Sequence, residues 1–308
     1  MTLNVILVTY NHSKFIQDSL RGILFQKTNF DFDIIVADDY STDDTLAQIR
    51  EVEAKSTISF RYLSSERNLG ISQNYRRAFE ACDAKYVAVL EGDDFWTTPD
   101  RLQKHVDFLE HHYECAMSYN RFIRGNIEAA RYVVFPEMDS SKEYHLFTAR
   151  DVASNNIIGN FSCCVYRKSA LDTLPKEMFD FTTYDWFTNI MVGKAGMIGC
   201  LTDVMSFYRI HSEGMWSSND EIDNMNKLLE YIQLYDEFTD HMFQDEFASL
   251  RAAIEDAIAS ITHPVHPKAN LARPILRRIK DLTPPILVYL LKLIIPSKIW
   301  IKIGGNPR

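Results

Sequence analysis

The sequence lacks most features of an extracellular, dinucleotide-binding or membrane-spanning protein. Its five cysteines, Cys82, Cys115, Cys163, Cys164 and Cys200, form no CxxC pair and no metal-ligand spacing. An odd, scattered set reads as reduced thiols in a cytosolic setting and gives no disulfide framework. The stretch VTYNHSKF, which follows the first apolar run, contains no glycine. That removes the GxGxxG turn of a dinucleotide fold, and no Walker-type lysine loop occurs either. The opening LNVILVTYNH has neither a basic leader nor a small-residue cleavage site, so it reads as a strand and not as a signal peptide. A spanning helix needs roughly 20 consecutive apolar residues. The strongest apolar stretch, PPILVYLLKLIIPSKIWIKIG, is broken by Lys292 and Pro296.

What is present is an ordinary globular composition over 308 residues, 46% hydrophobic and 24% charged, enough for a sizeable core. The charge is unevenly spread. Residues 264–308 hold nine Lys/Arg and one acid, Asp281, a net +8; the whole chain is −9, which leaves −17 on residues 1–263. So acidic a body is a poor partner for nucleic acid. The basic, apolar tail suggests a separate task on an anionic membrane surface, with the chain peripheral on the cytoplasmic leaflet.

The β-branched runs NVILVTY and FDIIVADD alternate with helical patterns. One helix is expected from near Ser13, and another over STDDTLAQIREVEAK with Ser41 or Thr42 as N-cap. Then follow the strand FRYLS, a helix from Ser72 and the strand KYVAVLEGDD. Strands alternating with helices of this length predict βαβ units and a mostly parallel central sheet in a three-layer, Rossmann-like α/β fold. Residues 115–134 read as strand, 135–150 as polar loop, 184–196 as helix, 200–211 as strand and 220–262 as helical. The chain therefore divides into an α/β domain over 1–219, a helical extension over 220–262 and the basic tail over 263–308.

In such sheets ligands bind beyond the carboxyl ends of the strands. Three predicted strands end there in polar groups: Thr9-Tyr10-Asn11, Asp38-Asp39 and Glu91-Gly92-Asp93-Asp94. Two like charges about 4 Å apart repel by roughly 1 kcal/mol in water and about 4 kcal/mol near a protein surface. A hard divalent cation such as Mg²⁺ or Mn²⁺ would turn that repulsion into a binding site.

The blocks VILVTYNHSKFIQDSLRGILFQ, DIIVADDYSTDDT, NLGISQNYRRAFEACDAKYVAVLEGDDFW and YDWFTNIMVGKAG…VMSFYRIHS resemble, in order, those of family 2 glycosyltransferases. The resemblance covers roughly residues 2–215. It implies an inverting enzyme of GT-A type fold, of the bacterial polysaccharide kind, with C-terminal helices after the sheet. The donor is then a nucleotide sugar, a UDP-sugar above all, and the acceptor a saccharide or lipid-linked saccharide in cell-surface polysaccharide synthesis. Carried over by position, Thr9, Tyr10, Asn11, Asp38, Asp39, Asn68 and Asn74 would meet the donor, together with Glu91, Asp93 and Asp94. EGDD matches the family's DxD motif, so Asp93 and Glu91 would hold the metal, closed over by His211. Asp185 matches the general base. Asn156, Asn160, Ser162 and Trp186 are the acceptor-side candidates, although Trp96 and Trp186 read first as packing. The chain departs from the pattern at Glu91, where aspartate is usual, and at Tyr40, where glycine is common. A nucleotidyltransferase would also use acidic metal ligands, but it normally carries a glycine- and arginine-rich loop after the first strand. A non-catalytic sugar-nucleotide-binding protein would have lost the base at Asp185.

Overall fold

A computed structural model describes residues 1–127, 129–214 and 220–262. The expected basic tail over 263–308 lies outside the described residues. Two compact units are present: Met1–Ala153 with Ile158–Ser212, and Ser154–Ile157 with the chain from Glu213 on.

The first unit is built on a ten-stranded sheet. Its N-terminal half is parallel. β1 (Leu3–Thr9) lies between β2 (Phe32–Asp38) and β4 (Tyr86–Glu91), with β3 (Phe60–Tyr62) outside β2. These strands are apolar on both faces, as a sheet covered by helices on each side requires. Leu3, Val5, Leu7, Ile34, Val36, Ala88 and Leu90 share one core with Ile16, Leu20 and Ile23 of α1 (Ile16–Leu24) and with Ile49 of α2 (Thr45–Glu53). The opposite face is covered by α3 (Ile71–Glu80), through Tyr75, Ala78 and Phe79.

After the short β5 (Phe95–Trp96) and α4 (Arg101–His111), the sheet continues with reversed strands. β9 (Cys164–Arg167) is antiparallel to both β4 and β6 (Cys115–Asn126), and β10 (Met197–Arg209) runs parallel to β6. Six of the ten strands, β1, β2, β3, β4, β6 and β10, thus point one way. The strand-like pattern over 115–134 resolves into a hairpin of β6 with β7 (Arg131–Phe135). The segment read as polar loop contains a strand, β8 (Tyr144–Phe147), paired with β10. Edge pairing with Ile198–Leu201 supplies what its local pattern does not.

The cap of α2 also differs from expectation. Ser41 donates instead to Asp38, and Asp43 accepts from the backbone N–H of Thr45 at 3.0 Å and of Ser13 at 3.0 Å. Two further helices, α5 (Ala149–Ser154) and the short α6 (Lys168–Leu171), precede α7 (Asp185–Gly193). The second unit contains α8 (Glu221–Phe238) and α9 (Gln244–Thr262), joined by a tight turn at Asp240 and His241.

Candidate active site

Parallel register sets the site. Thr9 lies opposite Asp38, and Val8 opposite Glu91, so the chain leaves β1, β2 and β4 at one level. The first acidic doublet is consumed by the scaffold. Asp38 accepts from the Ser41 N–H at 2.9 Å and from the Ser41 hydroxyl. Asp39 accepts from Leu69 N–H at 2.8 Å and Gly70 N–H at 2.9 Å, which pins the loop leading into α3. Asn74 is buried and donates to Ala37 O at 2.9 Å while accepting from Arg77. Asn11, with φ of 55°, accepts from Thr42 N–H.

Thr9, Asp38, Asp39 and Asn74 are thus buried supports, whereas Tyr10 and Asn68 are exposed at the rim. Tyr40, which replaces the usual glycine, adopts φ of 68°, a region that favours glycine. Tyr10 and Tyr40 are 44% and 49% exposed, an aromatic pair on successive strand ends. Asn68 and Leu69 also line a cleft of about 500 Å³ with Arg67, Gln73, Arg76, Arg77 and Glu80.

The turn after β4 relieves its repulsion by sending its three carboxylates different ways. Asp94 is 0% exposed and accepts from Ser162 Oγ at 2.6 Å, Asn160 Nδ2 at 2.9 Å and Arg209 N–H at 2.9 Å. Burial, then the charge of Asp93, raises its pKa to about 7 against the pull of those bonds. Glu91 accepts from the buried Tyr75 hydroxyl at 2.9 Å, and Tyr75 in turn stacks on Phe161. Burial, then Asp93 and Asp94, pushes the Glu91 carboxyl well above its ordinary value, and the charge of Asp185 adds to this.

Asp93 alone faces imidazoles. Its Oδ2 lies 3.1 Å from His211 Nε2 and 3.8 Å from His12 Nε2. Burial would raise its pKa, but the His211 bond and the charges of His12 and His211 outweigh burial and lower it. His211 rests on the Phe15 ring at 4.5 Å, and its Nδ1 is buried without a hydrogen-bond partner among the described residues. His12 Nδ1 is 3.2 Å from Thr9 Oγ1. Gly92 makes this approach possible: a Cβ there would come within 2.6 Å of Thr9 Oγ1 and 2.7 Å of His12 Nδ1.

Other side chains brace the turn. Arg209 donates to Asp93 O at 2.8 Å and to Asp18 at 2.9 Å, and its guanidinium lies over the rings of Phe15 and Phe95. The Ser19 hydroxyl lies 2.9 Å from Gly92 O and 2.6 Å from Asp94 O. None of His12, Tyr75, Arg209 or Ser19 carries a motif of its own, although His12 directly follows Asn11 in the first block. Asp185 opens α7, where a carboxylate is favoured by the helix dipole.

The acceptor-side candidates are placed differently from the expectation. Asn160 and Ser162 spend their side chains on Asp94, so they support the turn from within. Trp186 is buried and donates from Nε1 to Val152 O at 2.7 Å, which makes its ring core packing and not a sugar platform. Asn156 belongs to the second unit, where it is half-buried.

Among the described residues, no three His, Cys, Asp or Glu side chains gather as a complete metal site. Glu91 is tied to Tyr75 and Asp94 to its three donors, which leaves Asp93 and His211 as a two-donor pair. That fits a cation whose remaining ligands are substrate phosphates and water, the usual manner of Mg²⁺. The carboxylate, phosphate and water oxygens of such a set suit Mg²⁺ and Mn²⁺ alike.

The family model described as Glycosyl transferase family 2 matches residues 4–174. Among curated proteins, an uncharacterized protein of Mycobacterium tuberculosis (strain H37Rv) is 28% identical over 216 residues, covering 70% of this chain and 61% of that one. The putative teichuronic acid biosynthesis glycosyltransferase TuaG of Bacillus subtilis is 27% identical over 172 residues, covering 54% and 62%. The chain thus spans about three fifths of the length of these relatives. Among solved structures, S. aureus TarS 1-349 in complex with UDP-GlcNAc aligns with a TM-score of 0.63 at 18% identity, covering 88% of this chain and 77% of that one. The mannosyltransferase PcManGT of Pyrobaculum calidifontis, in complex with GDP-Man and Mn²⁺, aligns at 0.55 and 15% identity, covering 94% and 84%. At such identities the likeness is one of fold, and the fold is GT-A type.

Proposed function

This chain belongs to glycosyl transferase family 2, and we propose that it transfers a sugar, with inversion, from a nucleoside-diphosphate sugar to a hydroxyl of a saccharide acceptor. The observation that carries this reading is the single carboxylate left available at the strand ends, Asp93, beside the His211 imidazole. Asp93 and His211 would hold a divalent ion, Mg²⁺ or Mn²⁺. When bound, such an ion neutralises charge on the departing diphosphate. Tyr10, Tyr40 and Asn68 are the exposed groups we assign to the nucleoside, and the buried Asp38, Asp39 and Asn74 hold their loops. Asp185 takes the proton of the attacking hydroxyl, which requires an approach within about 3 Å. One base and one displacement invert the anomeric carbon; retention would need a second carboxylate as nucleophile.

The donor is a UDP-sugar by the ligand of the TarS complex, with a GDP-sugar the competing choice from PcManGT. The acceptor is a polysaccharide or its lipid-linked precursor; the name of TuaG, a putative teichuronic acid biosynthesis glycosyltransferase, supports the polysaccharide part of this reading. We assign the catalytic work to the first unit, within the predicted 1–219 domain. Incubation with a panel of sugar nucleotides tests the reading. Free nucleoside diphosphate supports transfer, pyrophosphate means nucleotidyl transfer, and intact donor with bound nucleotide means a binding protein.

No helix among the described residues is long and apolar enough to cross a membrane. Peripheral attachment through the basic tail is therefore tested by flotation with anionic liposomes, comparing the full chain with one ending at Thr262. Equal flotation of the two refutes it.

A further inference from the structure

Arg101, the first residue of α4, is fully buried yet forms no ion pair among the described residues. Its guanidinium lies over the Trp96 ring at 4.3 Å, and Nη1 has no hydrogen-bond partner among the described residues. Burial draws its pKa down to about 9, so it still carries its charge at neutral pH. A buried charge without a counter-ion is expensive, and an apolar side chain of similar length is commonly no worse for stability. Space filling does not account for an arginine here.

Its bonds supply an account. Nε donates to Asn120 Oδ1 at 2.9 Å, and Nη2 donates to Ser162 O at 3.1 Å and Cys164 O at 3.5 Å. The same Ser162 carbonyl accepts from Trp96 Nε1 at 2.8 Å. Ser162 is therefore gripped on its carbonyl side by Arg101 and Trp96. Its hydroxyl meanwhile donates to Asp94 Oδ2 at 2.6 Å and accepts from Glu91 N–H at 3.1 Å. Asp93 lies between these two attachment points.

We propose that Arg101 is a positioning residue of the transferase site: by fixing Ser162 it fixes the Glu91–Asp94 turn, and with it the orientation of Asp93 towards His211. The inference rests on the reading of Asp93 and His211 as the working pair. It differs from a stability role, in which Arg101 would matter to folding and not to that pair.

The test uses the full chain with ¹⁵N-labelled histidine, and reads the His211 ring resonances, assigned with His211→Gln, beside the melting temperature. Asp93→Ala sets the signal of an unpaired His211. Arg101→Met and Ser162→Ala should each move the signal at least half-way to that limit. The double variant should match Ser162→Ala, because the path from Arg101 passes through Ser162. Arg101→Lys keeps the charge and loses the fork, so it stands in should Arg101→Met fail to fold, with the same non-additivity expected. A lowered melting temperature with an unchanged His211 signal overturns the inference and leaves the site reading intact. Additive shifts in the double variant do the same. If Asp93→Ala itself leaves the His211 signal unchanged, the pair is not formed and both claims fall.

Discussion

Two acidic doublets, Asp38-Asp39 and Asp93-Asp94, look alike in the sequence and end neighbouring parts of one sheet, yet they do different work. In the first, both carboxylates meet donors from nearby loops, Ser41 on one and Leu69 and Gly70 on the other. In the second, Asp94 is saturated by Ser162, Asn160 and Arg209, while Asp93 is turned towards two imidazoles. Donor supply decides the role. A carboxylate surrounded by N–H and O–H groups becomes a fastener, and one left facing imidazoles is available to a cation or substrate.

The comparison can be broken in order of effect. Asp185→Asn should lower turnover by about 10²–10⁴-fold, the usual contribution of a general base, with little change in melting temperature. An activity loss that follows unfolding would make Asp185 only a first-turn partner of the α7 dipole. Asp94→Ala removes a buried acceptor of three bonds and should destabilise by about 3 kcal/mol or more in a denaturant titration, since each orphaned donor costs roughly 1–3 kcal/mol. Asp39→Ala orphans two N–H groups near the surface and should cost about 1–3 kcal/mol. Its amide exchange should rise at Leu69 and Gly70 before anywhere else.

The smallest effect concerns Asp43. Burial would raise its carboxyl, but bonds from Thr45 and Ser13 outweigh this and hold it at about 2. A folded-state value below the unfolded value of about 3.9 contributes stability above roughly pH 4, and that stability is lost as pH falls towards 2. The side chain is exposed, so screening keeps the contribution small. Asp43→Asn should lower the melting temperature by about 1–2 °C at pH 7, and the gap from wild type should narrow below about pH 4 and close only as pH falls through about 2.

Much of this architecture is legible in the amino-acid order alone. Runs such as NVILVTY and FDIIVADD can be buried only as central strands, and the position of EGDD at a strand end follows from them. Local sequence does not say which carboxylate is spent and which is offered. Asp93 and Asp94 are adjacent, and their difference comes from Ser162, Asn160 and Arg209, distant in the chain. His12, Tyr75 and Arg209 lie within the quoted blocks, but their roles escape a motif-based reading for the same reason: each reaches the turn through tertiary packing. Asn160, Ser162 and Trp186 carry side chains suited to sugar, yet the fold uses them inside. The strand at Tyr144–Phe147 exists because β10 offers an edge, which its own residues do not announce.

The central claim is that Asp93 is the working acid of this sheet edge. It is tested by nucleoside diphosphate release from a panel of UDP- and GDP-sugars in the presence of Mn²⁺ and a saccharide acceptor, comparing wild type, Asp93→Ala, and wild type in excess EDTA. The account predicts release by the wild type with at least one donor. It predicts loss of about 10³-fold or more in Asp93→Ala and in EDTA, the order expected when several kcal/mol of charge stabilisation is removed, with the Asp93→Ala melting temperature within a few degrees of wild type. Release at the wild-type rate by a folded Asp93→Ala would contradict it.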